Sequence, residues 1–302
     1  MPLSSRYGLI CGYAADMAFG DPRRAHPVAG LGRLALGLER RLYAPSRVRG
    51  GAYTGVLVLG SAIGAELLAR AGGRTAALAV LAWIALGGRS LAGEAIAIAE
   101  LLERGRLAEA RRALPALCGR DADTLDETQI SRAVVESLAE NTSDAVVGAL
   151  WWGALAGPAG VAGYRAANTL DAMVGHHNDR YEDFGWASAR LDDALGWPAA
   201  RLGAALSAAL APLVGGSPIA AARTVWRDGA DHPSPNAGRM EAAFAGALHV
   251  RLGGELAYRG RVERRGTLGD GAAPTPRDIQ RAARLSRAVG AGALAVCVAV
   301  SR

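Results

Sequence analysis

Residues 144–174 read DAVVGALWWGALAGPAGVAGYRAANTLDAMV, and the way this stretch folds decides what kind of protein the chain is. A hydrocarbon core about 30 Å thick takes roughly 20 residues of straight helix, so the run is long enough for one span. Its middle, however, is Gly157-Pro158-Ala159-Gly160, a strong turn signal. The turn leaves two apolar arms of about 13–15 residues, each near 20 Å long at ~1.5 Å per residue. Neither arm crosses a bilayer comfortably. The expected form is a re-entrant or strongly tilted helical hairpin whose polar ends return to one side. The competing form is a single kinked spanning helix, which would hold those ends apart.

Outward from this stretch the chain repeats the pattern of short apolar helix and polar connection. Tyr7 to Phe19, Leu31 to Leu42, Ala52 to Ala69, Ala76 to Leu91, Leu202 to Val214 and Ala288 to Val300 are apolar, and rich in Gly and Ala. Small residues let such helices pack closely in a membrane. Hydrophobic residues make up 51% of the 302, with 5% aromatic, and mean hydropathy is +0.14. That balance fits either an Ala-rich soluble helical protein or a membrane protein with substantial polar loops. Composition leaves both open; the second would be an all-α, polytopic membrane helical bundle with short or re-entrant helices and polar cytoplasmic loops. Residues 1–302 are expected to form a single integral membrane helical domain, with polar helical excursions at about 94–130 and 223–287.

The net charge is +6 and the sequence holds no lysine. Arginine clusters such as Arg40, Arg41, Arg47 and Arg49 fall between apolar runs, as the positive-inside rule expects of cytoplasmic loops. No basic-aromatic interleaving, RNP-like strand or zinc finger is present, so no nucleic-acid partner is expected. Cys11, Cys118 and Cys297 are three and widely spaced, which argues against a disulfide framework or a structural zinc site. Met1 to Phe19 lacks the pattern of a removable signal peptide. Walker-type, Rossmann, GxSxG and HExxH motifs are missing too.

Four groups of residues could carry chemistry. Arg132, Glu136, Glu140 and Asp144 recur every fourth residue, which stacks them on one helix face. Carboxylates on one stripe repel each other unless a cation such as Mg²⁺ lies between them; the alternative is a solvated face with Asn141, Thr142 and Ser143 as a cap. Arg165, Asn168 and Asp171 recur every third residue near the end of an apolar arm. A charge at mid-bilayer costs about 2.5–3.5 kcal/mol, so such groups usually line a polar cavity. His176 and His177 do not share a helix face. Arg190, Asp192 and Asp193 follow; the acidic pair suits cation binding or the first turn of a helix. Last, the proline-rich loop Asp231 to Gly238 leads to Asn236, a plausible N-cap for a helix whose start could cradle phosphate.

Together these segments resemble a known family. GDPRRAHPVAGLG (Gly20 to Gly32), SLAENTSDAVVGALWW (Ser137 to Trp152), YRAANTLDAMVGHHNDRYEDFGWASARLDDALGWPAARL (Tyr164 to Leu202) and DHPSPNAGRMEAAFAGALHVRLGG (Asp231 to Gly254) look like the CobD/CbiB family of adenosylcobinamide-phosphate synthases. The resemblance implies a multi-pass bacterial inner-membrane enzyme of cobalamin assembly with its site facing the cytoplasm. It implies condensation of adenosylcobyric acid with (R)-1-aminopropan-2-ol O-phosphate, or a related aminoalcohol phosphate, to an amide, using ATP and Mg²⁺. A second copy of the chain or later enzymes of cobalamin assembly would be its protein partners.

Fitted to that reaction, Glu140, Asp144, Asp192 and Asp193 are the expected metal ligands. Glu140, Asp144, Arg165, Asp171 and His26 are the expected catalytic groups, with His26 or Asp193 removing the proton of the amine. Asn141, Thr142, Ser143, Asn168, Arg190 and Asn236 would bind substrate and phosphate. The rival reading is a non-catalytic membrane sensor or a corrinoid-binding or transport protein on the same scaffold.

Overall fold

In a computed structural model, residues 2–22, 26–258 and 261–301 are described; residues 23–25 of the Gly20 to Gly32 motif lie outside them. The protein is 77% helical. Among the described residues four stretches are long and apolar enough to cross a membrane: Arg47–Gly72, Arg74–Glu103, Glu127–Val174 and Pro276–Val300. The chain is an all-α, multi-pass membrane protein.

The chain divides into two compact units, each discontinuous in sequence. The first comprises Met1–Gly87, Asp144–Trp197 and Leu294–Arg302; the second comprises Gly88–Ser143 and Pro198–Ala293. In the first unit lie α1 (Pro2–Phe19), α2 (Pro27–Leu42), α3 (Arg47–Gly72), α4 (Arg74–Ala85) and α8 (Gly148–Val174). The second contains α5 (Gly88–Glu103), α6 (Leu107–Ala113), α7 (Glu127–Asn141), α10 (Pro218–Asp228) and α11 (Ala237–Leu248). Two helices, α9 (Trp186–Ala209) and α12 (Pro276–Val300), pass from one unit to the other.

Helix α3 shows why the first unit suits lipid. Ser46 caps it, its Oγ accepting from Arg49 N–H. Tyr53, Leu57, Ala65 and Ala69 are buried, while Val56, Leu59, Ile63 and Leu67 are each more than half exposed. Those four recur at three- and four-residue spacing, so one stripe of large apolar side chains faces outward. In water such a stripe would be a liability; against acyl chains it costs nothing. The inward stripe packs on α2 and α8 around Ala35, Tyr53, Leu57, Leu170, Val174 and Phe184.

The reading of residues 144–174 as a hairpin holds. Gly157 leaves the helix at φ 63° and ψ −142°, a backbone conformation open to glycine and strained for other residues. Pro158 follows, biasing its predecessor away from helix and starting the second arm without needing an N–H partner. Contacts across the turn prove the reversal. A β-carbon on Gly153 would come within 2.9 Å of Val161 Cγ2, and one on Gly148 would overlap the Tyr164 ring. On a straight helix Gly148 and Tyr164 would stand about 24 Å apart. The arms are therefore antiparallel, and close because their facing positions carry no side chain.

One expectation is corrected. The 223–287 region is not helical throughout, because Leu252–Tyr258 (β1) pairs antiparallel with Arg261–Leu268 (β2). Gly253 and Gly254 sit at φ 75° and 85° beside an irregularity in register, which no helix interior accommodates. Arginine and glutamate in these strands hid the hairpin, since both are ordinary helix formers.

Candidate functional site

A π-helical segment, Thr142–Val147, joins α7 to α8. Such segments are uncommon and frequent at functional sites. From it the first unit takes Asp144, and the hairpin brings back Tyr164, Arg165 and Asn168 on the second arm. Arg165 Nη1 donates to Asn168 Oδ1 at 3.1 Å, and Asn168 Nδ2 donates to Asp192 Oδ1 at 3.4 Å. Asp144, Asp192 and Arg165 all act electrostatically on the Tyr164 hydroxyl. Among the described residues the buried Tyr164 hydroxyl and Arg165 Nε have no hydrogen-bond partner. Leaving such groups buried and unpaired costs about 1–3 kcal/mol each. Folds keep that cost where a ligand or water completes the bonding.

A second set adjoins in sequence. Asp171 interacts electrostatically with Asp193, His176 and His177, and Asp193 with Arg190 and His177. Consecutive aspartates on a helix diverge by about 100°, so Asp192 serves one set and Asp193 the other. Burial raises the Asp193 carboxyl above the usual aspartate range, against the opposing pull of Arg190 and His177. A partly desolvated carboxylate with a raised pKa is better suited to taking a proton near neutrality.

The acidic–basic stripe on α7 has a different fate. Glu136 is buried and paired with Arg120, and it also accepts from Gly253 N–H at 2.7 Å. Arg132 Nη1 donates to Gly253 O at 2.8 Å. These two residues clamp the base of the β hairpin within the second unit. Glu140 is exposed at the end of α7. Asn141 donates to Ser137 O, Thr142 donates to Leu138 O, and the Thr142 and Ser286 hydroxyls bond to each other. Ser143 is buried, its Oγ without a partner among the described residues. So Asn141 and Thr142 bind the helix and its neighbour rather than projecting as a cap.

Two further placements differ from the sequence reading. Asn236 does not cap α11 with its side chain; its Oδ1 accepts from Arg201 at 2.7 Å, and Ser234 Oγ accepts from the Asn236 and Ala237 N–H groups instead. The prolines flanking Ser234 bring it round to the helix start, which left Asn236 to face inward. His26 caps α2, its Nδ1 accepting from Val28 N–H at 3.2 Å. Only its Nε2 remains for proton transfer.

Among the described residues no group of three or more His, Cys, Asp or Glu side chains could hold a metal ion. Glu140, Asp144, Asp192 and Asp193 thus form no ready-made cage. Mg²⁺ in nucleotide sites needs none, because one or two carboxylates and the phosphates suffice. Asp144 and Asp192, with hard oxygen donors beside Arg165, fit that mode.

Sequence reasoning passed over Tyr164 and Asp21. The tyrosine precedes Arg165 in an apolar arm, where aromatic residues are ordinarily packing. Its hydroxyl among charges is visible only once the hairpin closes. Asp21 read as part of a turn, and Trp83 Nε1 holds that turn by donating to Gly20 O at 2.9 Å. A β-carbon on Gly87 would meet the Asp21 carboxylate at 3.8 Å and Ala145 Cβ at 3.9 Å. Asp21 and Ala145, the neighbour of Asp144, thus both flank Gly87.

Comparison with known proteins identifies the family. Residues 9–286 match the family described as CobD/Cbib protein. The chain is 50% identical to the cobalamin biosynthesis protein CobD of Mycobacterium tuberculosis over 294 residues, covering 96% of this chain and 94% of that one. It is 43% identical to the protein of the same name from Geobacter metallireducens, with 84% and 83% covered. For the Rhodobacter capsulatus protein of that name the identity is 40%, with 94% and 93% covered. No solved structure matches. Near-complete coverage at these identities means that the chain belongs to the CobD/CbiB family and serves cobalamin biosynthesis.

Proposed function

We propose that this protein is an adenosylcobinamide-phosphate synthase: an ATP-dependent ligase that joins adenosylcobyric acid to (R)-1-aminopropan-2-ol O-phosphate, or a close relative, as an amide. The observation that carries the reading is the helical hairpin, which gathers Asp144, Tyr164, Arg165, Asn168 and Asp192 in one cluster holding buried, unpaired polar atoms. A carboxylate is a poor acyl donor. MgATP, when bound, supplies the phosphoryl activation it needs. Asp144 and Asp192 would hold the Mg²⁺. Arg165 is placed beside them to neutralise phosphate charge through a planar guanidinium. The Tyr164 hydroxyl can donate to an oxyanion in a site poor in water.

The ammonium of the second substrate must lose a proton before it attacks. Asp193 is the better base by burial, with Asp171 and His177 beside it; His26 has one ring nitrogen engaged in capping. Arg190 lies next to Asp193 and suits a phosphate ester. A cytoplasmic orientation at the bacterial inner membrane follows from the need for ATP.

The test is mass-spectrometric detection of the amide product with detergent-purified protein, adenosylcobyric acid, aminopropanol phosphate and MgATP. ATP consumption should require both other substrates, and Asp144→Asn should abolish product while the protein stays folded. Corrinoid binding without any ATP turnover would instead favour a non-catalytic corrinoid carrier.

A further inference from the structure

Helix α10 in the second unit has its polarity reversed for water. Its inner face carries Ala221, Thr224 and Asp228, two of them polar. Thr224 Oγ1 donates to Ala220 O at 3.0 Å, and Asp228 Oδ2 accepts from Gly269 N–H at 2.8 Å. Helix α11 packs on that face so closely that a β-carbon on Gly246 would come within 2.7 Å of Ala221 Cα. That contact fixes the rotation of α10 and leaves Ile219, Ala222, Arg223 and Trp226 outward, at the spacing of one helical stripe. Ile219 is 72% exposed and Trp226 87%; Leu213, in the short turn Ala211–Val214 just before the helix, is 62% exposed. Large apolar side chains grouped in this way mark a surface that meets something other than water.

Charge, length and position say what that is. Arg227 is occupied by Asp228 and Asp270, whereas Arg223 makes no ion pair among the described residues, and no carboxylate shares the outward stripe. Tryptophan and arginine on one apolar stripe suit the headgroup layer of a bilayer, where the ring sits at the acyl boundary and the guanidinium meets lipid phosphate. With 11 residues, α10 is about 16 Å long at ~1.5 Å per residue. It is too short to cross a hydrocarbon core about 30 Å thick, so it can only lie along the surface. Its start is also tied to the polar beginning of a spanning helix. Arg281 in α12 donates to Val214 O from Nε at 3.0 Å and from Nη2 at 2.8 Å. Charges crowd that part of α12, at Arg277, Asp278, Arg281, Arg284 and Arg287, and none follows from Ala288 to Val300. The apolar run of α12 thus begins roughly 10 Å beyond Arg281 along the helix axis, which holds Leu213 and α10 near the edge of the lipid.

We propose that α10 lies in the headgroup layer of the bilayer, with Leu213, Ile219 and Trp226 at the acyl boundary and Arg223 on lipid phosphate. The region read from sequence as a polar excursion therefore starts with a helix resting on the membrane. The test uses the full chain in nanodiscs of phosphatidylcholine and phosphatidylglycerol. The chain has 6 tryptophans, so the Trp226 signal is taken as the difference in emission between the wild type and Trp226→Phe. Bromines placed high on the acyl chains should quench that difference about twofold, with weaker quenching by bromines near the chain ends and little by acrylamide in the water. Arg223→Glu should reduce quenching by brominated phosphatidylglycerol more than by brominated phosphatidylcholine. Both side chains are exposed, so neither variant should shift the melting temperature in detergent. Quenching by acrylamide alone would place α10 in water and overturn the proposal. Strongest quenching by the deep bromines would overturn it too, by placing the helix within the hydrocarbon, as would protection from every quencher, which would mean that a second copy or another protein covers the face. An Arg223→Glu variant quenched as the wild type by both lipids would remove Arg223 from the contact.

Discussion

Arg132 and Glu136 on α7 and Asp144 and Arg165 at the α8 hairpin carry the same kinds of charge, and they are used in opposite ways. On α7 the charges are consumed by fixed partners: Glu136 by Arg120 and Gly253 N–H, Arg132 by Gly253 O. At the hairpin the charges face one another through longer contacts, and the buried Tyr164 hydroxyl and Arg165 Nε have no hydrogen-bond partner among the described residues. The first arrangement is what a fold needs. The second wastes binding capacity unless something else arrives to use it. Fixed ion-pair and main-chain partners set the α7 charges apart from those at the hairpin.

The contrast breaks most readily at Glu136. Glu136→Ala leaves the Arg120 guanidinium buried without its carboxylate, which should destabilise the protein by about 3–5 kcal/mol. Thermal unfolding in detergent reads this directly, and activity should fall only as the folded fraction falls. A variant of full stability but no activity would move Glu136 into the functional class. Arg165→Ala should show the reverse pattern. Product formation should drop by about 100- to 1000-fold, the scale for removing one charge-stabilising donor, while the melting temperature barely moves. Comparable losses of stability and activity would erase the distinction.

Tyr164→Phe sharpens it further. The variant deletes a buried hydroxyl with no hydrogen-bond partner among the described residues, so stability should hold or rise slightly, while turnover should fall about tenfold, the weight of one neutral hydrogen bond. Loss of stability would show the hydroxyl to be bonded within the fold. The smallest effect is expected at Asp193. Its folded pKa is raised by burial, so ionising it on the way up through that pKa weakens the folded state, and the penalty vanishes below the unfolded value near 4. Asp193→Asn should therefore raise the melting temperature modestly at neutral pH and lose that advantage in acid. An advantage that grew in acid would mean that Arg190 and His177, not burial, govern the carboxyl.

Much of the fold could be read directly. Gly157-Pro158 announced the reversal, and the Gly and Ala content of the two arms announced how closely they pack. The β hairpin could not be read, because its arginines and glutamates carry no β signal and its defining feature is the positive φ of Gly253 and Gly254. For the site, spacing identified the charged faces but not which charges would find partners. Glu136 and Asp144 look alike eight residues apart on one stripe; only the folded chain shows Glu136 meeting Arg120 and the Gly253 backbone.

What the amino-acid order alone determined is therefore local and covalent: helices with one apolar stripe, a Gly-Pro break, charged residues at helical spacing, and motifs that resemble one family. What only the tertiary structure decided is which distant groups meet. Tyr164 became part of the site, Asn236 gave up its cap, and Arg132 turned to a strand, because hydrogen bonds and desolvation act through space between groups whose separation along the chain says nothing of their distance.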